Sequence, residues 1–165
     1  DKYGTDAFRI GLVVGNTPGT SLALDENRIR GYRNFANKIW NATRFVLLQT
    51  ANSKFKIQNS KLTETDKKIL ADLKKLTKNA TKLMDSFKFY AAAEKIYHYF
   101  WHDFCDKIIE DYKKGKVSQH LLLEILKTNL KLLHPFMPFI TEEIYTNLLP
   151  KWPGKKLLIT ESWPE

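Results

Sequence analysis

RNFANKIWNATRFVL, Arg33 to Leu47, is the stretch on which the fold turns. Advance about 100° per residue, as on an α-helix, and Phe35, Ile39, Ala42 and Val46 share one side. Ala36, Trp40, Thr43 and Leu47 widen that arc into the core-facing stripe of a bundle helix. Asn34, Lys38, Asn41, Phe45 and Gln49 lie opposite, flanked by Asn37, Arg44 and Leu48. Phe45 therefore stands in a polar, basic strip. It has two readings: a ring packed under a neighbouring loop or helix, or an exposed platform. In the second, one base of single-stranded RNA stacks on the ring while Asn and Lys reach base edges and phosphates. Each stacked base contributes roughly 1–3 kcal/mol in such sites. Arg28, Arg30 and Arg33 precede this face and are placed to meet backbone phosphates.

Outward from this helix, which the pattern extends over residues 25–49, periodicity predicts four more. A short piece over residues 6–14 is broken at Gly15-Asn16-Thr17-Pro18-Gly19. The polar run TANSKFKIQNSK reads as a loop. Thr63 with Asp66 resembles a capping box opening a helix that ends near Met84, with Leu70, Leu73, Leu76 and Ala80 inward. The next helix, residues 86–112, carries the stripe Phe89, Ala93, Ile96, Phe100, Phe104 and Ile108, with Gly115 as its C-cap. Residues 118–133 make another, ending at His134-Pro135. Thr141 then caps a short helix, TEEIYTNLL. Leu157 to Thr160 reads as a short strand. The fold class is all-α, an antiparallel bundle of four to five helices, with the N-terminal segment and the C-terminal tail packed at one end. Residues 1–24 read as a junction segment, 25–150 as the helical domain and 151–165 as its tail.

Composition agrees. At 43% hydrophobic and 13% aromatic, the 165 residues can bury a core, so global disorder is excluded. Seven glycines and six prolines are too few for a loop-rich β architecture. The single Cys105 rules out an intrachain disulfide and fits a reducing compartment. The sequence shows neither a signal peptide nor a long uncharged apolar run. A net charge of +9, from 27 Lys+Arg against 18 Asp+Glu, favours a polyanion partner, nucleic acid first. Lys67, Lys68, Lys74, Lys75, Lys78 and Lys82, with Lys61, are either a solvated face or phosphate contacts that add affinity without base choice.

Several segments together resemble one family. RNFANKIWNATRFVL is similar to the helix that opens the anticodon-binding domain of valyl-tRNA synthetases, which are class I aminoacyl-tRNA synthetases. YGTDAFR resembles the segment after their second ATP-binding signature, FWHDFCDKIIEDYK their central aromatic helix, LHPFMPFITEEIY their late helix and ESWPE the domain's end. The isoleucine and leucine relatives share the late helix and the plan, while WNATRF is closer to the valine enzyme. The resemblance implies a helical bundle that grips the anticodon arm of tRNA(Val), with Phe45 stacking on an anticodon base and Lys38 and Asn41 beside it. Valine tRNAs carry adenine in the middle anticodon position and cytosine in the third. Arg30, Arg33, Asn34, Lys38, Asn41, Arg44 and Phe45 are thus the candidate RNA-binding residues. The HIGH-like and KMSKS-like signatures are absent, as is a catalytic or editing domain. The resemblance therefore implies a recognition fragment, inactive alone and without a cofactor, whose parent ligase uses ATP with Mg. The abrupt start fits such a piece. A monomer in the cytoplasm is expected, with no membrane or DNA partner. The alternatives are the equivalent isoleucyl or leucyl domain, or a basic helical protein-interaction module.

Other constellations have plainer readings. His98, His102 and Cys105 share a helical face and suggest zinc, but structural zinc takes four ligands and only Glu94 and Asp106 are near; packing residues are expected. Glu142-Glu143 and Glu110-Asp111 read as solvated helix-end charges, since neighbours in a helix diverge by about 100°. Asp6 and Arg9, three apart, read as a local ion pair, the alternative being contact with the inner side of the tRNA.

Overall fold

The computed structural model describes residues 2–17, 19, 21, 25–51, 62–148 and 157–165. Among them, all regular structure is helical. Thr5–Val13 forms α1, Glu26–Ala51 α2 and Glu64–Asp85 α3. Phe89–His98 (α4) runs without a break through a π-helical segment, Tyr99–Ile108, into Ile109–Lys113 (α5), making one rod. Gln119–Leu133 is α6 and Pro138–Glu143 α7, which continues as a π-helical segment, Ile144–Leu148. Leu158–Thr160 is a 3-10 turn. The segment read as a loop falls, from residue 52 to 61, outside the described residues.

α6 is the axis of the bundle. Leu121, Leu122, Leu123, Ile125, Leu126, Leu130, Leu132 and Leu133 are all buried, as expected of a helix apolar nearly all round. Packed around it are α2, α3 and the α4–α5 rod, with α1 laid along α2. The predicted stripes face this core: Phe35, Ile39, Ala42 and Val46 from α2, and Leu73, Leu76 and Ala80 from α3. In the rod, Tyr99, Phe104 and Ile109 are buried at five-residue steps, as are Phe100 and Cys105. That period is the mark of the wider, i→i+5 bonded coil, which an α-helical wheel does not anticipate.

Caps set the boundaries. The box at Thr63 is formed: the Asp66 amide donates to Thr63 Oγ1 at 3.0 Å, and the Thr63 amide to Asp66 Oδ2 at 3.1 Å. The other Asp66 oxygen accepts the Ser118 amide at 3.2 Å, so one carboxylate ties the start of α3 to the start of α6. Burial opposes its charge, but the donors from Ser118 and Thr63 outweigh that and hold the carboxyl below its ordinary range. Gly115, at φ 72°, closes the rod in a Schellman motif, its amide on the Tyr112 carbonyl and that of Lys116 on Asp111. Gly15, at φ 72°, has the Arg28 guanidinium where a side chain would stand, 2.6 Å from a Cβ placed there. Arg28 is thus committed to the end of α1 and is not on the free arginine face the sequence suggested.

Several expectations are corrected. The rod begins at Phe89, not Ser86, because Ser86, Phe87 and Lys88 close α3. The Phe87 amide reaches the Met84 carbonyl and that of Lys88 the Leu83 carbonyl, another Schellman motif, with Phe87 at φ 57° where glycine is usual. Phe89, expected inward, is largely exposed at the first turn. Thr141 is no cap. Pro138 opens α7, since it lacks the amide that a first turn leaves unpaired, and Thr141 is buried with its hydroxyl on the Met137 carbonyl. Asp6 does not pair with Arg9. Its carboxylate accepts the amides of Phe139 and Ile140, at 3.3 and 2.7 Å, and Arg9 donates to the Pro135 carbonyl. Glu142 is not a solvated charge either. It accepts the amides of Leu158 and Ile159, at 2.8 and 3.2 Å, which bends the expected strand into a 3-10 turn. The N-terminal segment and the tail both dock on α7 through these carboxylates.

Two measurements check this account. Asp66→Ala lowers stability in urea unfolding at neutral pH by about 1–3 kcal/mol, because buried amides of two helices lose their acceptor. With its pKa depressed in the fold, Asp66 contributes above its unfolded value near 3.8. The gap between wild type and variant therefore narrows as pH falls below that value. A gap constant from pH 7 to pH 2 contradicts the assignment. Phe87→Gly relieves a left-handed conformation that costs roughly 1–2 kcal/mol in a residue bearing Cβ. The variant's melting temperature rises; a fall shows that the ring's packing outweighs the strain.

Candidate nucleic-acid interface

The rotation of α2 is set by Phe35, which is fully buried. Its ring meets Tyr97 at 4.6 Å and Phe100 at 5.7 Å, both edge to face, and stacks on Trp101 at 5.9 Å. With that face locked onto the rod, Arg30, Arg33, Asn34, Asn41 and Arg44 are left exposed on the opposite side. Asn37 and Leu48 lie in the same stripe, and Leu48 is 65% exposed although apolar. Arg30 donates to Asn27 Oδ1 at 2.6 Å. The result is a continuous polar and basic surface about four turns long, from Arg30 to Arg44.

Two of the predicted residues sit at its edge, not on it. Lys38 is half-buried. Its Nζ lies 2.7 Å from Asp106 Oδ1 and 4.2 Å above the Trp101 ring. The hydrogen bond from Lys38 holds the Asp106 carboxyl below its ordinary range, a pair partly screened by solvent. Phe45, expected to face solvent, is half-buried in the seam between α2 and α5. Its ring stands edge to face with Tyr112 at 6.2 Å, and Lys113 Nζ approaches the ring centroid at 5.3 Å. Both readings of Phe45 were partial, because the rod ends beside it and covers one side of the ring.

The seam brings in residues that the sequence did not single out. Tyr112 donates to Gln49 Oε1 at 3.4 Å, and Gln119 donates to the Gln49 carbonyl. A composite patch results, with Asn41, Phe45 and Gln49 from α2 against Tyr112 and Lys113 from α5. It offers aromatic surface, amide donors and acceptors and a cation, as recognition of an unstacked base requires. The sequence signal was the aromatic–basic run Tyr112-Lys113-Lys114 at the rod's end, but a wheel of one helix cannot place it beside Phe45.

The candidate metal cluster separates. Cys105 is buried, whereas the His98 and His102 rings stack on each other at 5.5 Å and His102 Nδ1 lies 3.3 Å from Asp106 Oδ2. Among the described residues no group of three or more His, Cys, Asp or Glu converges as a metal site. Burial pushes the Cys105 thiol up to about 12 from an ordinary 9.0. The thiolate fraction is then about a thousandfold below that of a free cysteine, so a disulfide reagent at pH 8 modifies the native chain far more slowly than the urea-unfolded one. Equal rates show that the π-helical segment opens readily. No described helix is long and apolar enough to cross a membrane.

Comparison with known proteins identifies the family and the fold. Residues 66–165 match the family described as the anticodon-binding domain of tRNA ligase. The valine–tRNA ligase of Fervidobacterium nodosum is 42% identical over 172 residues, which covers all of this chain and 20% of that protein. Those of Pseudothermotoga lettingae and Clostridium tetani are each 40% identical, again across the whole chain. The chain spans about a fifth of the length of these relatives. Among solved structures, the LeuRS of Agrobacterium radiobacter K84, in a ternary complex with tRNA and LeuAMS, shares the fold. Its TM-score is 0.75 at 23% identity, over 99% of this chain and 20% of that one.

Proposed function

Because this chain belongs to the anticodon-binding domain family of tRNA ligases, we propose that it grips the anticodon arm of tRNA(Val) for a valine–tRNA ligase. The observation that carries this reading is the composite patch at Phe45, set at the edge of an exposed arginine and asparagine stripe. The identity of about 40% to valine–tRNA ligases along the whole chain favours valine over leucine or isoleucine.

In this reading the domain performs no bond chemistry. Arg30, Arg33 and Arg44 meet phosphates of the anticodon arm, where planar guanidinium groups pair two-pronged with phosphate oxygens. Asn34 and Asn41 present amides to base edges. One base lies on the open side of the Phe45 ring, with Lys113 and Tyr112 bounding the slot. Lys38 reaches RNA only by exchanging Asp106 for a phosphate or a base oxygen, a swap between two acceptors at a partly exposed site. Binding energy gathered here orients the tRNA so that the 3′ end meets the catalytic part of the parent enzyme, where ATP with Mg would activate valine. The chain itself takes no cofactor, and it works as a monomeric unit of a cytoplasmic enzyme with neither membrane nor DNA as partner.

The test is fluorescence anisotropy with two hairpins at physiological salt: a valine anticodon stem-loop and the same stem-loop with its middle base changed. The chain binds the first more tightly. Phe45→Ala weakens that binding by roughly 1–3 kcal/mol, the contribution of one stacked base, while helical circular dichroism is retained. Equal affinity of wild type for both hairpins overturns the assignment. A preference for an isoleucine or leucine anticodon reassigns the substrate within the family.

A further inference from the structure

α2 and α3 both pack on α6 and on the α4–α5 rod, and each leaves an outer face to solvent. Lys74, Lys78 and Lys82 are exposed along that of α3 at four-residue steps, about 6 Å of rise each. Among the described residues none of the three has an ion pair. Lys107, Lys113, Lys116 and Lys131 are each held by a carboxylate, whereas Lys68, Lys75, Lys95 and Lys114 share the unpaired state of these three among the described residues. The same three lysines border a groove of about 490 Å³ whose other wall is Trp163 and Pro164. The Trp163 indole is fixed there by its donation to Thr81 Oγ1 at 2.8 Å. Two acidic residues, Asp85 and Glu165, opposite in charge to the three lysines, also border the groove.

Lysines alone would be a solvated face. The second observation is Phe87, one residue past the next step of the lysine series, Ser86. It is the described non-glycine residue with positive φ, and its ring is 79% exposed, touching Phe89 edge to face at 5.9 Å. An aromatic residue thus stands at a helix end where glycine is usual, with most of its surface in water and Phe89 as a neighbouring ring. Exposed lysines along one helix, followed in the chain by an exposed aromatic residue, are the residue types with which proteins hold unpaired nucleic acid.

We propose that the outer face of α3 is a second RNA-binding surface, which takes an unpaired strand with phosphates along Lys74, Lys78 and Lys82 and one base on Phe87. The proposal rests on the reading of this chain as an RNA-binding domain and adds to it a surface on a different helix from the one that carries the anticodon residues. It supplies affinity without base choice, since any base has a face to stack.

The full chain is titrated with fluorescein-labelled oligo(A) of 12 nucleotides at several salt concentrations. Wild type binds it. Replacing Lys74, Lys78 and Lys82 together by Gln flattens the log–log salt dependence by about 2, as three phosphate contacts on a single strand require. Phe87→Gly weakens binding at least fivefold, the lower end of what one stacked base contributes. Its melting temperature is read alongside, so that loss of binding with an intact fold is not mistaken for unfolding. Both variants retain the discrimination between the two stem-loops. The proposal is overturned if wild type does not bind oligo(A), or if both variants bind it as wild type does. It is also overturned if poly-glutamate binds as tightly as oligo(A) and ignores Phe87→Gly, which would mark an acidic protein partner. Should wild type fail to distinguish the stem-loops while the α3 variants lose oligo(A), the anticodon reading falls and the α3 surface stands.

Discussion

The seating of Phe35 against Tyr97, Phe100 and Trp101 is the constraint from which the rest follows. One fully buried ring contacts three aromatic residues on a single turn of the rod, and edge-to-face and stacked pairs tolerate little rotation. Tyr97, Phe100 and Trp101 stand at i, i+3 and i+4, so one face of the rod presents all three. Once Phe35 is seated, α2 has one available rotation. Trp101 then carries the contact outward, since the Lys38 ammonium also lies over its ring, and Lys38 in turn holds Asp106. A line of contacts therefore runs from the core to the rim of the polar strip, and it sets which polar residues of α2 are held and which are free.

Three carboxylates do for the connections what the aromatic seam does for the long helices. Asp66 joins the starts of α3 and α6, Asp6 joins α1 to the start of α7, and Glu142 joins α7 to the tail. In each case the acceptor satisfies backbone amides that a helix start leaves without partners. A charged acceptor makes a stronger bond than a neutral one, and here it spans elements far apart in sequence. Asp6 shows the cost: burial pushes its pKa up against the amides of Ile140 and Phe139, so its charge is sustained by those donors. The helices of this small domain are thus fastened at their ends as well as along their apolar faces.

The division between held and free polar groups also organises the surface. Arg30, Arg33, Asn34, Asn41 and Arg44 point away from the bundle, and a stripe of this kind has rigid backing from α6 and the rod. Phe45 is positioned differently. With Tyr112 edge to face and Lys113 near its ring, it is held in the seam between α2 and α5 with only part of its surface accessible. On α3, Lys74, Lys78 and Lys82 border a groove walled by a tethered tryptophan. The excess of nine positive charges is therefore not spread evenly.

What the sequence determined by itself was everything with a local cause. Phe35, Ile39, Ala42 and Val46 recur with the helical period, Thr63 and Asp66 are three apart, and Gly115 stands where only a left-handed residue closes a helix. These features identify the all-α bundle, most of its boundaries and the outward side of α2, because each depends on neighbours within a few residues. The fates of Asp6, Glu142, Lys38, Phe45 and Phe87 were decided by tertiary structure. Asp6 looked like a partner for Arg9 until α7 arrived 133 residues later with open amides. Phe45 looked like either core or surface, because a helical wheel has no knowledge of where the rod ends. Phe87 read as part of a helix, since its left-handed turn follows from how α3 must stop for the rod to fold back. Periodicity tells which face of a helix is apolar; only packing tells what stands opposite the rest of it, and the binding surface is made of that remainder.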